Sequence, residues 1–347
     1  MLLLRWLLSP LAPLYSGVVR LRNRAFDAHP QRAARVNAPV ISLGNLSLGG
    51  TGKTPVTLFL AQSLEAQGLR AAVVSRGYGG RRAVDPMDVE PLSDPKQTGD
   101  EPKMMAERLG PGRVVVARKR LNGALRALAR LPVPDVLLLD DGFQHRALHR
   151  DLDLLLLDGV RTWGNGRMVP LGELREPQAS ARRAHALVVT RGSRTDRTRV
   201  EAWWSRYGSG GPVFYVDFAI QGLRDASTGT RQNLPAPVPT LFPFCALGHP
   251  EAFYADLLLA GLRWNDYRSF RDHAALSPPQ LQALAREALA SGAEALVCTE
   301  KDAVKLTTAH LDGLPLPLYI AEQSLLGGTP LVDFVVDRVR AWRPPVA

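Results

Sequence analysis

Short apolar runs recur along the first half of the chain, and segments of helix length separate them. The runs cover residues 40–43, 71–74, 113–117, 136–139, 152–157 and 186–189. They are rich in Val and Leu and alternate little with polar residues, which is typical of strands buried on both faces of a parallel sheet. The pattern predicts an α/β fold, and open sheets of this kind bind ligands beyond the carboxyl ends of their strands.

The segment between the first run and the next helix has the composition of a phosphate-binding loop. Its residues are Leu48, Gly49, Gly50, Thr51, Gly52, Lys53 and Thr54. Glycines allow successive backbone N–H groups to turn toward one anion, Lys53 can reach the β- and γ-phosphates of a nucleotide, and the Thr54 hydroxyl can hold Mg²⁺. The usual pattern, GxxxxGK[ST], has glycine where this chain has Ser47. The strand before the loop and the helix after it favour nucleotide binding over a simple glycine-rich turn.

A second motif for nucleotide chemistry follows the fourth run. Asp140 and Asp141 come directly after residues 136–139. An aspartate at the tip of a strand beside the phosphate loop can hold Mg²⁺, either directly or through water. Together with Lys53 and Thr54, the two aspartates predict a site for a nucleotide and its Mg²⁺.

Four further segments allow both a functional and a structural interpretation. They contain Arg76 and Tyr78 in a basic, glycine-bearing loop, Asp100 two residues before a proline, Arg120 after a strand, and Arg175 beside Glu176. The loop can contact a sugar or a phosphate, or it can be a flexible connector. Asp100 can be a helix N-cap or a catalytic base. The later residues can bind phosphate or a metal, or they can form solvated edges and surface ion pairs.

The last third of the chain predicts a linker and a smaller α/β unit. Residues 222–243 carry four prolines, which is typical of a linker with room for one hairpin. Strands at 244–248, 295–298 and 318–320 and helices at 250–261, 278–291 and 330–342 are expected. We therefore divide the chain into an apolar and basic segment (1–38), a P-loop domain (39–211), a linker (212–242) and a C-terminal α/β domain (243–347).

Charge and the start of the chain point to an anionic partner. The net charge is +10, which suits nucleic acid, phospholipid headgroups or a phosphorylated substrate. Residues 1–20 are apolar, but Arg5 and two prolines interrupt them, so they fall short of the ~20 residues of a membrane-spanning helix. Arg20, Arg22, Arg24, Arg32 and Arg35 follow, with Asp27 as their countercharge. The combination favours a segment in the headgroup interface, and a core helix that docks on the next domain is the alternative. The two cysteines suit a reducing cytosol.

Seven segments, spread over nearly the whole chain, form a specific combination. They are 44–55 (GNLSLGGTGKTP), 75–79 (SRGYG), 99–102 (GDEP), 140–145 (DDGFQH), 172–177 (GELREP), 272–273 (DH) and 299–306 (TEKDAVKL). In kind and order they resemble the tetraacyldisaccharide 4′-kinases (lipid A 4′-kinases) of Gram-negative bacteria, which also lack the first glycine of the loop. The resemblance implies a P-loop kinase domain joined by a short β linker to a smaller α/β/α domain.

The resemblance also implies an activity. It indicates an ATP- and Mg²⁺-dependent enzyme that phosphorylates the 4′-hydroxyl of tetraacyldisaccharide 1-phosphate to form lipid IV-A in lipid A biosynthesis. The protein would be monotopic, at the cytoplasmic face of the bacterial inner membrane. Its expected partners are the lipid disaccharide and a surface of anionic phospholipids, with neither nucleic acid nor an obligate protein partner.

The same resemblance assigns roles that the local sequence leaves open. Asp100 and His273 are implied to form a general-base pair, and Lys53 and Arg120 to neutralise phosphate charge. Residues expected to organise Mg²⁺ are Thr54, Asp140, Asp141 and Glu176. Residues expected to contact the lipid sugar are Asn45, Arg76, Tyr78, Gln144 and Arg175.

Two other functions compete with a lipid kinase. A membrane-recruited P-loop ATPase switch often has a lysine just before its paired glycines, whereas this chain has Leu48. A basic nucleic-acid binder is disfavoured, because the sequence contains no aromatic and basic platform and no known module of that class.

Overall fold

The computed structural model describes residues 11–344. Its strands are β1 (Val40–Gly44), β2 (Ala71–Ser75), β3 (Met87–Val89), β4 (Val114–Val116), β5 (Val136–Asp140), β6 (Leu152–Asp158), β7 (Ala186–Thr190), β8 (Val213–Asp225), β9 (Arg231–Asn233), β10 (Leu241–Cys245), β11 (Arg268–Ser269), β12 (Ala295–Thr299) and β13 (Leu318–Leu326). Its helices are α1 (Leu11–Ala28), α2 (Lys53–Ala66), α3 (Pro95–Thr98), α4 (Asp100–Leu109), α5 (Arg120–Leu128), α6 (Arg197–Tyr207), α7 (Pro250–Leu259), α8 (Pro278–Ala290), α9 (Glu300–Ala303), α10 (Thr308–Leu311) and α11 (Thr329–Ala341). Short 3₁₀ turns lie at Pro30–Arg32, Gln178–Arg183 and Gly192–Arg194.

These strands join in one mixed sheet. The order is β11-β10-β12-β13-β8-β7-β6-β1-β5-β2-β4-β3, and β9 pairs with β8. Pairing is antiparallel for β3 with β4, for β8 with β9 and for β8 with β13, whereas the other neighbours are parallel. Residues 213–216 of β8 pair with β7, and residues 217–225 pair with β13. One strand therefore connects the two halves of the sheet.

Both faces of the first half are buried, as the apolar runs require. On β1, Ile41 and Leu43 share a core with α2, α4 and α11, while Val40 belongs to the core under α5 on the opposite face. Successive side chains of a strand point to opposite faces, so an uninterrupted apolar run supplies both cores. The last helix, α11, returns to this half of the sheet, where its Leu331 and Val335 are fully buried.

The structure confirms the predicted α/β class and places strands in all six early apolar runs. In the second half, β10 begins at Leu241, before the predicted start at residue 244, and β13 continues to Leu326, beyond the predicted 318–320. The predicted linker contains all of β8 and β9, which are held by the pairing of β8 with β13 and with β9. The domain boundaries themselves stay a prediction, because the sheet crosses them.

Helix α1 forms part of the segment that the sequence assigns to the membrane interface. Leu14, Val18 and Leu21 are exposed on it, whereas Val19 is buried against the rest of the protein. The apolar residues 1–10, with Arg5 and Trp6, lie outside the described residues. Within residues 11–344, no helix has both the length and the apolar character needed to cross a membrane.

Candidate active site

The predicted phosphate-binding loop connects β1 to α2 at the carboxyl end of the parallel strands. Two of its glycines, Gly49 and Gly52, have positive φ angles of 99° and 76°. At Gly52 an added Cβ would also overlap the ring of Phe218 on β8. Two contacts hold the loop: the Leu48 N–H donates to the Glu173 carbonyl (2.7 Å), and the Thr190 hydroxyl donates to the Thr51 carbonyl (3.1 Å). The neighbours of the loop therefore fix its shape.

Lys53 and Thr54, at the start of α2, already have polar partners. The Lys53 ammonium lies 3.4 Å from Oδ1 of Asn45 and 3.5 Å from Oδ1 of Asp141. Asn45 is fully buried and donates to the Thr51 hydroxyl (3.0 Å). The Thr54 hydroxyl donates to Oε2 of Glu101 (3.1 Å). Asn45, which the resemblance assigns to the sugar, therefore also stabilises the phosphate-binding loop from its buried side.

Asp140 and Asp141 lie at the tip of β5 in different surroundings. Asp140 is buried and accepts hydrogen bonds from Ser75 (3.2 Å) and Thr57 (3.4 Å). Burial, together with the charges of Glu101 and Asp141, raises the pKa of Asp140 to about 7. Burial alone would also raise the pKa of Asp141, but the nearby Lys53 and Arg175 outweigh it and hold that pKa below its usual value.

Arg120 lies beside the same strand end, at the first position of α5. It is almost fully buried and donates to the carbonyls of Ala117 (2.8 Å) and Asp140 (3.2 Å). Its Nε has no hydrogen-bond partner within the described residues. Burial lowers the pKa of Arg120 to about 10, so it stays positively charged at neutral pH. A buried guanidinium with a donor left over is suited to an incoming anion.

The structure brings Asp100 and His273 together, although 173 positions separate them in the chain. Asp100 begins α4, and its Oδ2 lies 3.0 Å from Nδ1 of His273. His273 has a positive φ of 62°, and its ring lies 6.0 Å from the ring of the exposed Tyr78. Burial would raise the pKa of Asp100, but the hydrogen bond from His273 and the charge of Lys305 hold it below its usual value.

Other predicted site residues lie at the edges of this cluster. Arg175 forms an ion pair with both carboxylate oxygens of Asp141 (2.9 and 3.0 Å). Gln144 donates to the Asn45 carbonyl (2.9 Å), and the exposed Arg76 follows β2. Within the described residues, no hydrogen bond joins Glu176 to Thr54 or the aspartates. Its buried carboxylate is bound by Arg183 (2.8 Å) and by Asn23 of α1 (2.6 Å). These contacts link Glu176 to α1, and its metal role stays a prediction.

The described residues contain no preformed cluster of three or more His, Cys, Asp or Glu side chains that could hold a metal ion. Ligands from the nucleotide would therefore have to complete the coordination of Mg²⁺ around the hydroxyl of Thr54 and the carboxylates of Asp140 and Asp141. Oxygen donors of this kind are the ones that Mg²⁺ prefers.

Three residues that sequence reasoning left without a role also lie here. Glu101 accepts from Thr54 and faces Lys301 (3.7 Å), and Lys305 lies 3.5 Å from Asp100. Glu101 directly follows Asp100, and both lysines lie in the segment 299–306. The only signal for them was membership in those segments, because a lysine near a helix gives no local indication of a partner so distant in the chain.

Comparison with known families gives one consistent result. The family model described as tetraacyldisaccharide-1-P 4′-kinase matches residues 4–326. A tetraacyldisaccharide 4′-kinase of Geobacter sulfurreducens is 39% identical over 335 residues, which cover 94% of this chain and 91% of that protein. The corresponding protein of Aeromonas salmonicida is 36% identical over 311 residues, which cover 89% and 86%.

A solved structure agrees with these relatives. LpxK from Aquifex aeolicus, crystallised in complex with ATP, is similar over 97% of this chain and 99% of its own, with a TM-score of 0.73 and 29% sequence identity. The family model and both relatives cover the P-loop and the Asp100–His273 pair alike. The chain belongs to the tetraacyldisaccharide 4′-kinase family.

Proposed function

We propose that this protein transfers the γ-phosphoryl group of ATP to the 4′-hydroxyl of tetraacyldisaccharide 1-phosphate and so forms lipid IV-A. The observation that carries the proposal is the short path between the nucleotide loop and the candidate base. Thr54 of the loop is hydrogen-bonded to Glu101, and the adjacent Asp100 is paired with His273. A phosphate donor and a proton acceptor would therefore meet at one end of the sheet.

ATP is the donor that best fits the loop. Residues 48–54 could surround an anion with backbone N–H groups, and Lys53 supplies a positive charge at the start of α2. The unpartnered Nε of the buried Arg120 supports the same assignment, since an anionic oxygen would satisfy it. The related Aquifex aeolicus protein was crystallised with ATP.

Thr54, Asp140 and Asp141 are the residues that would hold Mg²⁺. Their oxygens suit a hard cation, and bound Mg²⁺ would neutralise charge on the phosphates as the transfer proceeds. Lys53 orients Asp141 from one side and Arg175 from the other, which keeps this carboxylate ionised. Glu176, which the sequence also assigned to the metal, is committed to Arg183 and Asn23 in this structure.

Asp100 would act as the general base. A sugar hydroxyl is a weak nucleophile, so its proton has to leave as its oxygen forms a bond to the γ-phosphorus. The carboxylate of Asp100 accepts that proton while the bond between the γ-phosphorus and its bridging oxygen breaks, and ADP leaves. The lowered pKa of Asp100 means that it is ionised at neutral pH and ready for this role.

The acceptor would approach from the side of Arg76, Tyr78 and α1. Tyr78 is exposed beside His273 and Arg76 is exposed in the same loop, where a phosphorylated sugar could contact a cation and an aromatic ring. On α1, the exposed Leu14, Val18 and Leu21 together with nearby arginines suit acyl chains and anionic headgroups. This arrangement supports our proposal of a peripheral position at the cytoplasmic face of the inner membrane.

The test is a transfer assay with purified protein, Mg²⁺, γ-labelled ATP and tetraacyldisaccharide 1-phosphate in detergent. Label in a 4′-phosphorylated lipid is the expected result, and its absence with folded, ATP-binding protein would overturn the proposal. ATP hydrolysis that anionic vesicles stimulate without an acceptor would instead favour an ATPase switch.

A matched pair of variants separates catalysis from helix capping. Asp94 caps α3 by accepting from the Lys96 N–H (2.9 Å), only six positions before Asp100. Asp100→Ala is expected to lower kcat by roughly 100-fold or more while ATP still binds. Asp94→Ala should lower stability only, by about 1 kcal/mol. Equal kcat values for the two variants would indicate that Asp100 has only a structural role.

A further inference from the structure

The segment 299–306 supplies two lysines to the surroundings of Asp100 and His273, and this contact is not explained by nucleotide binding. The side chain of Lys305 is only 8% exposed, and its ammonium lies between Oδ1 of Asp302 (3.0 Å) and Oδ2 of Asp100 (3.5 Å). The Lys301 ammonium lies 3.4 Å from Nε2 of His273. Both lysines come from the second half of the chain, whereas Asp100 begins α4 in the first half.

We infer that Lys301 and Lys305 are positioning residues for the Asp100–His273 pair: Lys301 fixes the tautomer of His273, and Lys305 fixes and charge-balances the carboxylate of Asp100. The inference rests on the proposed role of Asp100 as the base. It assigns the positive charge that balances the carboxylate of Asp100 to Lys305, in the second half of the chain, and the imidazole of His273 is then neutral.

The tautomer follows from the donors around the ring. A carboxylate can only accept, so Nδ1 of His273 must carry the hydrogen that it shares with Asp100 (3.0 Å). A lysine ammonium can only donate, so Nε2 must present its lone pair to Lys301. These two bonds together require a neutral ring with its hydrogen on Nδ1.

Two carboxylates limit the influence of Lys301. Asp272 lies 3.5 Å from the ammonium of Lys301 and 3.8 Å from Nε2 of His273, and Glu101 lies 3.7 Å from the same ammonium. Asp272 would favour a hydrogen on Nε2, so Lys301 has to compete with it for the ring. Loss of Lys301 is therefore expected to release the tautomer.

A rigid frame holds Lys305. Besides its ion pair with Asp100 (3.5 Å), its ammonium donates to Asp302 (3.0 Å) and to the Ala274 carbonyl (3.1 Å), so oxygens of three residues surround it. Asp302 is itself fixed by the Ala246 N–H (3.1 Å) and by the Thr299 hydroxyl (2.7 Å). A charge held this firmly costs little further ordering when the reaction begins.

The arrangement also selects one oxygen of Asp100. His273 and Lys305 both make their shortest contact with Oδ2, and within the described residues no hydrogen bond reaches Oδ1. Oδ1 is therefore the oxygen that takes the proton of the sugar hydroxyl. The two lysines direct the reactive lone pair without touching the substrate.

Kinetics with a matched control tests the role of Lys305. Lys305→Ala is expected to lower kcat roughly 100-fold with KM for ATP within about twofold, and added ethylammonium should restore part of kcat. The control is Lys103→Ala, which removes a lysine of α4 with a similarly buried side chain, bound to Glu107 (2.6 Å) and to the Pro91 carbonyl instead of to Asp100. It should lower stability but leave kcat unchanged. A kcat of Lys305→Ala within threefold of wild type, or equal losses in the two variants, would overturn the inference.

Nuclear magnetic resonance of ¹⁵N-histidine-labelled protein tests the tautomer without any turnover. In the wild type we expect Nδ1 of His273 to appear protonated and Nε2 unprotonated, and in Lys301→Met we expect averaged signals. Unchanged signals in the variant would overturn the role of Lys301. Wild-type transfer activity is measured on the same samples, so a failed lipid-kinase assignment is distinguishable from a failed role of the lysines.

Discussion

Two adjacent aspartates at the tip of β5 have opposite electrostatic environments. Asp140 is buried next to Glu101 and Asp141, and its pKa rises to about 7. Asp141 is also shielded from water, but Lys53 and Arg175 keep its pKa below the usual value. At neutral pH, Asp141 is thus ionised, whereas Asp140 holds a proton in a substantial part of the molecules. A cation that binds both must displace that proton.

This displacement leads to a prediction for proton release. An unfolded Asp has a pKa near ~3.9, so the raised pKa of Asp140 favours folding at low pH, and this contribution is lost as the pH rises toward 7. Binding of preformed MgATP, in which Mg²⁺ has already displaced the phosphate proton of ATP, should release close to one proton at pH 6. Calorimetry in two buffers of different ionisation enthalpy measures the release, and Asp140→Asn should abolish it. Equal heats in both buffers for the wild type would contradict the prediction.

Gly52 is constrained by both backbone conformation and packing. Its φ is 76°, and a Cβ would overlap Phe218, so Gly52→Ala is expected to weaken ATP binding more than tenfold by deforming the loop. Gly68 has nearly the same φ of 74° but has open space around it. Gly68→Ala should cost only about 1 kcal/mol of stability and leave ATP binding unchanged. Titration calorimetry with ATP distinguishes the two, and similar affinities would show that contact with Phe218 is unimportant.

At the scale of residues, local chemistry could be predicted and distant partners could not. The glycines, Lys53 and the two aspartates form motifs whose spacing alone predicts nucleotide binding. The contact between Asp100 and His273 depends on how two halves of the chain meet, which no local pattern contains. The contact between Glu176 and Asn23 could not be predicted either, because Asn23 lies on a helix that the sequence placed at the membrane.

Helix α1 is tied to the body of the protein by the carboxylate of Glu176. Both Arg183 and Asn23 contact this carboxylate, and although burial would raise its pKa, these partners hold the pKa below the usual value. The stabilising effect is therefore complete above about pH 4.5 and is lost as the pH falls further. The Tyr15 hydroxyl adds a bond to the Arg175 carbonyl (3.0 Å).

We predict that Glu176→Gln loosens α1 and leaves the Mg²⁺ requirement unchanged. Breaking a buried pair costs about 3 to 5 kcal/mol, whereas Glu173→Gln, which breaks an exposed pair with Arg161, should cost at most about 1 kcal/mol. Hydrogen exchange of the α1 amides and a Mg²⁺ titration of turnover provide the two measurements. A tenfold higher Mg²⁺ requirement with α1 still protected would support the metal role that the sequence suggested.

The sequence predicts the strands and helices that have a strong apolar pattern. Physical reasons explain why it does not predict the others. β3, β9 and β11 span only two or three residues, too few to show a period. Buried and partly exposed positions do not alternate regularly over the 13 residues of β8, and the glycines and prolines of residues 222–243 made its end look like a linker. Its strand conformation depends on pairing with β13, which is supplied by residues about 100 positions later.

At the scale of the molecule, the two halves are joined by more than the chain connection. β8 pairs with strands of both halves, and Arg108 of α4 forms an ion pair with Glu300 of α9. The Asp100–His273 pair and its lysines lie across the same junction. Closure of the halves would therefore complete the base and the junction together, so movement there should alter kcat.

Helix α11 extends this coupling to the end of the chain. It follows the last strand of the second half, yet Leu331 and Val335 are fully buried with Val56 and Leu60 of α2, directly behind the nucleotide loop. Leu331→Ala is therefore expected to destabilise the first half by about 2 to 5 kcal/mol, and α2 should lose hydrogen-exchange protection together with α11. Leu289→Ala on the exposed face of α8 is the control and should change stability by no more than about 0.5 kcal/mol. Loss of protection confined to residues 243–341 would mean that the C-terminal unit is stabilised independently, as the sequence-based domain boundaries predict, and would contradict this expectation. Loss of protection in α2 as well would mean that α11 stabilises the nucleotide-binding half.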